Sequence, residues 1–195
     1  MNKRFWKSVL ACSILAASQP VWAQTAPQDS DSAQVAVSGS VARLCILGEP
    51  SRTLIDLGQM AQTSGAGVGR LAALPTQAVS LPGSFCNFAG SSLGVSATAL
   101  VGTAGATPPT GFAKAVNFTA TATGWGTAPT VVTTGAAADG SAPDASAAGA
   151  VQGEPKLGTI DLALATFSAP ANGLLVAGDY SGQVTVTLGP VPVSE

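Results

Sequence analysis

Gly90-Ser-Ser92-Leu-Gly94 has the G-x-S-x-G spacing of a hydrolase nucleophile elbow, in which a tight strand-to-helix turn presents a serine to an acyl carbon. Such a serine needs a base to take its proton, and the chain contains no histidine. A Ser-Lys pair would have to draw on Lys114 or Lys156, and each lies in a segment flanked by Pro or Gly that reads as a loop. Ser92 is therefore expected in a Ser/Gly turn between two strands. Gly65-x-Gly67-x-Gly69-Arg70 lacks the lysine and the following helix of a phosphate loop. The cysteines form no cluster and the acids are scattered without calcium-loop spacing, so neither a metal site nor a cofactor is expected. Trp125, between Gly124 and Gly126, has the chemistry to stack on a sugar but reads better as a lid on a core. Asn117-Phe-Thr119 is formally a glycosylation sequon, with Asn117 expected to face solvent. No catalytic set emerges, and the expectation is a protein that is not an enzyme.

The elements that hold these residues follow from export and from alternation. Lys3, Arg4 and Lys7 precede an apolar run over Val9–Ala17, and Val21-Trp-Ala23 places small residues before a cut. This is the layout of a signal peptide over residues 1–23, cleaved between Ala23 and Gln24, with Cys12 leaving in the leader. Its apolar core is too short to span a bilayer, so no membrane insertion is expected once it is removed. Beyond it, Arg43, Arg52, Arg70, Lys114 and Lys156 face all ten acids of the chain, and that acidic balance argues against nucleic acid and anionic membranes as partners. Residues 24–34 are polar, carry Pro27, Asp29 and Asp31, and read as a flexible N-terminus. Residues 35–195 suit one domain.

Charged residues are only 9% of the chain, and the small and β-branched residues that dominate suit strands better than helices. Period-two alternation predicts strands over Val35–Ile46, Leu54–Gly58, Ala78–Cys86, Leu93–Leu100, Val116–Ala122, Thr130–Thr134, Thr159–Phe167, Leu174–Ala177 and Gly182–Leu188. Short strands separated by Gly/Pro/Ser turns predict an all-β antiparallel sandwich. Thr63–Gly69 reads as a flexible loop, and 135–153, almost all Ala, Gly, Ser, Pro and Asp, as a long low-complexity loop. Cys45 and Cys86 each close an alternating run. In an exported chain they predict one structural disulfide between neighbouring strands, the alternative being two free buried thiols.

Val37-Ser-Gly39-Ser-Val41-x-x-x-Cys45, then Ile55-Asp-Leu57-Gly58-Gln59, then the strand ending in Cys86, resembles the first half of chaperone–usher pilin subunits. Ala177-Gly178-Asp-Tyr180-Ser-Gly182-Gln-Val184-Thr-Val186-Thr-Leu188 is similar to the closing strands of the spore coat protein U-like group. The resemblance covers both ends of residues 24–195 and fades between Val101 and Gly158. It implies an immunoglobulin-like sandwich of pilin type that lacks its last strand and is completed by β-strand donation. Cys45 and Cys86 would form the family-type disulfide. Val35, Val37, Gly39 and Val41 would supply the donor strand or the first strand beside it, and Val184, Val186 and Leu188 would line a chaperone-facing edge. The implied partners are a periplasmic chaperone, an outer-membrane usher and neighbouring subunits of an adhesive fimbria-like fibre or coat. The implied location is the periplasm in transit and then the cell surface or an extracellular fibre. From a different class, a self-contained secreted sandwich that binds a glycan or matrix component through its loops also fits the sequence.

Overall fold

Strands in which apolar side chains alternate with Thr and Ser can bury only one face, so they must stack in two layers with the apolar faces inward. The computed structural model describes residues 32–103 and 105–190, and the chain divides into two units, Met1–Ser40 and Val41–Glu195. In the first unit, residues 32–40 form no strand or helix and are exposed, Val35 to 81% and Val37 to 92%. The expected leader with Cys12, the Asp29/Asp31 segment and the last five residues lie outside the described residues.

In the second unit the strands are β1 (Cys45–Ile46), β2 (Gln77–Cys86), β3 (Ser91–Gly102), β4 (Phe112–Ala113), β5 (Ala115–Thr123), β6 (Thr130–Thr133), β7 (Ala145–Ala148), β8 (Lys156–Ser168), β9 (Leu174–Leu175) and β10 (Tyr180–Pro190). They build an antiparallel β-sandwich. One layer runs β1-β2-β8-β5-β6 and the other β10-β3-β7. The layers meet at a corner where β3 pairs with β5 only through Leu100–Val116 and Val101–Ala115. A short parallel pair, β4-β9, sits at the same end of the sandwich.

The core lies between the layers. Leu93, Val95, Ala97 and Ala99 of β3 are buried on one face, opposite Val79, Leu81, Phe118, Ala120, Ile160 and Leu162 of the other layer. Trp125 is buried, its Nε1 donates to Ser91 Oγ at 3.3 Å, and its carbonyl accepts from Lys156 Nζ at 2.6 Å. It is a core lid and not a sugar platform. Ser91 and Ser92 are buried at the start of β3, a strand that follows a hairpin turn with no helix, so the elbow geometry is absent at Ser92.

Cys45 and Cys86 are directly opposite in the β1–β2 register and form a disulfide, with Cα atoms 4.1 Å apart. The bond closes a loop of sequence separation 41, worth about 4 kcal/mol in chain entropy. The partner strand explains why β1 is so short. Between Leu81 and Ser84 the register of β2 shifts, Pro82 has no N–H to give, and Gly83 takes φ 71°. Gly48 passes so close that a Cβ there would run into the Pro82 carbonyl.

Four expectations are corrected. The strand predicted over Val35–Ile46 begins only at Cys45, because its partner β2 turns away into the β2–β3 hairpin after Cys86. Residues 54–58 keep their alternation, with Ile55 and Leu57 half-buried and Leu54 and Asp56 exposed, but no strand lies beside them and they form none. The 135–153 stretch contains β7, whose Ala145–Ala148 pair with Ala97–Gly94 of β3. Its small residues are what the site admits: a Cβ at Gly149 would meet Thr130 Oγ1. Asn117 does not face solvent. It accepts from the Ala136 N–H at 2.7 Å and the Thr134 hydroxyl at 3.2 Å, and donates to the Ala136 carbonyl at 3.1 Å.

Candidate functional site

Four sides of a sandwich must be covered, and among the described residues one is left open. On one side β6 and β7 lie against each other. On the other, β1 approaches β10, and the chain beyond β1 forms no ladder with that strand. Between them lies a groove of about 490 Å³. Its walls are residues 47–57 on one side and Gly182–Val186 of β10 on the other. Its floor is core: Val79, Leu81, Leu100, Phe118, Leu162 and Leu164, with Phe167 turned inward. Phe167 reaches the floor through a bulge opposite Asn117–Thr119, where Thr166 takes φ 51°, and its ring centroid lies 6.0 Å from that of Phe118.

Neither wall is a finished sheet edge. Among the described residues β10 pairs with β3 alone, so alternate residues along it direct N–H and C=O groups toward the groove, with no described strand beside them. Val184 and Val186 face inward, pack against the core and line the groove, yet each is only half-covered; Leu188 continues their face just beyond it. The opposite wall is extended chain with isolated ties to β2. Gly48 N–H donates to Ser84 Oγ at 3.0 Å, Ser51 N–H to the Ser80 carbonyl at 2.8 Å, and Arg52 to the Ala78 carbonyl at 2.6 Å. The groove offers what an added strand needs: an apolar floor below and backbone hydrogen-bonding groups at its side.

The segment that carries Val35, Val37, Gly39 and Val41 lies in no strand, and its valines are exposed. Where it joins the sandwich it is held firmly. Asn87 Nδ2 donates to the Ala42 carbonyl and Asn87 Oδ1 accepts from Leu44 N–H, both at 2.8 Å. Arg43 stacks over the Phe88 ring at 4.1 Å and donates to the Ala89 carbonyl. The sequence pattern marked these residues as alternating, but a clamp through Asn87 leaves no periodic signal.

A second cavity of about 530 Å³ lies among the loops at the Tyr180 end, where Arg70, Phe112, Asp139 and Asn172 meet. Arg70 donates to the Asn172 carbonyl at 3.2 Å, and Ala171 and Asn172 both take positive φ. The predicted loop Thr63–Gly69 is closed here as a turn, with Gln62 N–H donating to the Arg70 carbonyl and Gly69 N–H to the Gln62 carbonyl. Beside it the Tyr180 hydroxyl donates to the Val176 carbonyl at 2.7 Å. Burial pushes that hydroxyl above its ordinary pKa, and the bond to Val176 opposes the shift in part. Among the described residues no three His, Cys, Asp or Glu side chains gather as metal ligands would.

No protein-family model, curated protein or solved structure matches this chain.

Proposed function

We propose that the chain is a structural subunit of an extracellular fibre or coat, completed by a β-strand donated from another molecule. The observation that carries this reading is the open groove: a gap over core side chains, bordered by an edge of β10 that pairs with no other described strand. A buried or half-buried strand edge invites another chain, because backbone pairing supplies affinity and alternating side chains supply register. Val35, Val37, Gly39 and Val41 share one face of an extended strand, which suits the floor of the groove in a neighbouring copy. Because β1 contacts β10 at one end of the groove, the sandwich that follows a donated strand has room only at the Tyr180 end, so the strand lies antiparallel to β10 with its C-terminal end at that mouth.

Before assembly the same edge needs a temporary occupant. In this reading, Val184, Val186 and Leu188 pack against a periplasmic chaperone, and an outer-membrane usher exchanges it for the next subunit. The signal peptide, periplasmic transit and surface location belong to the same proposal. A second reading, a secreted module that binds a glycan, rests on the loop cavity with Phe112 and Arg70. The open groove disfavours it, since a self-contained sandwich would fill that side itself.

The test is expression of the exported chain without partners, followed by electrophoresis in mild SDS with and without heating. Ladders that collapse on boiling are expected, and Val37→Asp or Val186→Asp should abolish them. A thermostable soluble monomer, indifferent to both substitutions, would sink the fibre reading.

A further inference from the structure

The exposed apolar side chains of the sandwich are gathered mainly at its two ends. At the end where the chain joins through Asn87 are Leu44, Ile46, Val151 and Leu157. Ile46, Phe85 and Leu157 are side by side in the register of β1, β2 and β8, forming an apolar row on the outward face. At the opposite end, around the mouth of the groove and the adjoining loops, are Leu54, Val68 and Phe112. Between the ends the outward faces carry Ser80, Thr119, Thr121, Thr133, Thr159 and Asp161. Among the described residues of the sandwich, Val131 alone is a large exposed hydrophobic away from both ends.

The chain provides a reason for these two patches to meet. Val41 is the last residue of the proposed donor face, and Ala42, the next residue, is already clamped by Asn87. No spacer intervenes, and one extended residue spans only about 3.3 Å. A donor strand that fills a groove up to Val41 therefore brings its own sandwich against the mouth of the acceptor. We infer that successive copies stack end to end, with the Ile46–Leu157 row of the donor packed on the Leu54 and Phe112 rim of the acceptor. This inference rests on strand donation and adds a second, side-chain interface to it. The contact is head-to-tail, so it propagates as a filament and does not close into a dimer. It also makes each junction rigid, where a flexible linker would let neighbouring copies swing.

The test uses two full-chain variants, Leu157→Cys and Leu54→Cys, assembled separately and as a mixture, then treated with a short bismaleimide. Leu157 is 75% exposed and Leu54 79%, so both substitutions leave the core intact. A cross-linked pair is expected in the mixture and in neither single variant. Leu157→Asp should also slow ladder formation about tenfold, the effect of withholding one buried leucine from the contact. Ladders that form at the wild-type rate in Leu157→Asp, with no cross-link in the mixture, overturn the stacking and leave strand donation standing. A cross-link in Leu157→Cys alone overturns it too, because it shows like ends meeting. A wild-type chain that forms no ladders at all removes both proposals together.

Discussion

Replacing both Cys45 and Cys86 with alanine removes the strongest tie between the groove wall and the rest of the sandwich. β1 has only two residues, and beyond it residues 47–57 hold to β2 by scattered hydrogen bonds. Freed of its cross-link, the unfolded chain regains the entropy of a loop of sequence separation 41, which lowers stability by about 4 kcal/mol. With a urea dependence of about 2 kcal/mol per molar, the unfolding midpoint should fall by about 2 M. Fluorescence-monitored urea unfolding of the oxidised wild type and the double variant measures this directly. Hydrogen exchange localises it: the amides of Gly48 and Ser51 should lose protection before those of β3 and β5, because the wall detaches before the layers separate. A midpoint change below about 0.3 M, or uniform loss of protection, would refute the view that the disulfide holds this wall in place.

Two further outcomes follow from side chains at the margins of the core. Asn117→Ala strips the Ala136 backbone of both its side-chain partners and should cost about 2 kcal/mol, read as a lower urea midpoint. Tyr180 has a raised pKa in the folded chain, so its contribution is fully present below the ordinary tyrosine value of about 10 and is lost as pH rises through the folded value. Thermal stability should decline more steeply above about pH 10 in the wild type than in Tyr180→Phe, and equal slopes would remove Tyr180 as the cause.

The layers of the sandwich were legible because their strands bury one face, and burial writes itself as alternation. Gln77–Cys86 and Ala115–Thr123 emerged within a residue or two of their bounds for that reason. Alternation reports a face, however, and not a partner. Val35–Val41 and Leu54–Gly58 alternate as strands do, yet no strand lies beside them, so both were expected as strands and neither is one. β7 was hidden for the opposite reason. Ala145–Ala148 and Gly149 fit close against β3 and Thr130 because they are small, and the same composition reads as an unstructured loop. Asn117 sits on the Thr-bearing face of β5, and only the path of the chain beyond β6 brings Ala136 within its reach. One wall of the groove was legible, since the alternation of Val184, Val186 and Leu188 marked the edge strand, and Val184 and Val186 line the groove. The other wall, residues 47–57, forms no strand, and the groove between them appears only when both walls are folded.

The position of the Cys45–Cys86 bond has a mechanical consequence. A pull on the chain at Val41 meets the Asn87 clamp and then Cys45, two residues before the extended wall begins at Leu47. The covalent bond passes the load to Cys86 and along β2 into β8, whose ladder runs from Lys156 to Leu164. Tension is thereby diverted from the weakly tied residues 47–57, which would otherwise peel from the sheet one hydrogen bond at a time. On the far side, the β10–β3 ladder lies along the same axis and would be loaded in shear, with many bonds sharing the force at once. A filament of such subunits would yield by strands sliding from grooves before any sandwich unravelled.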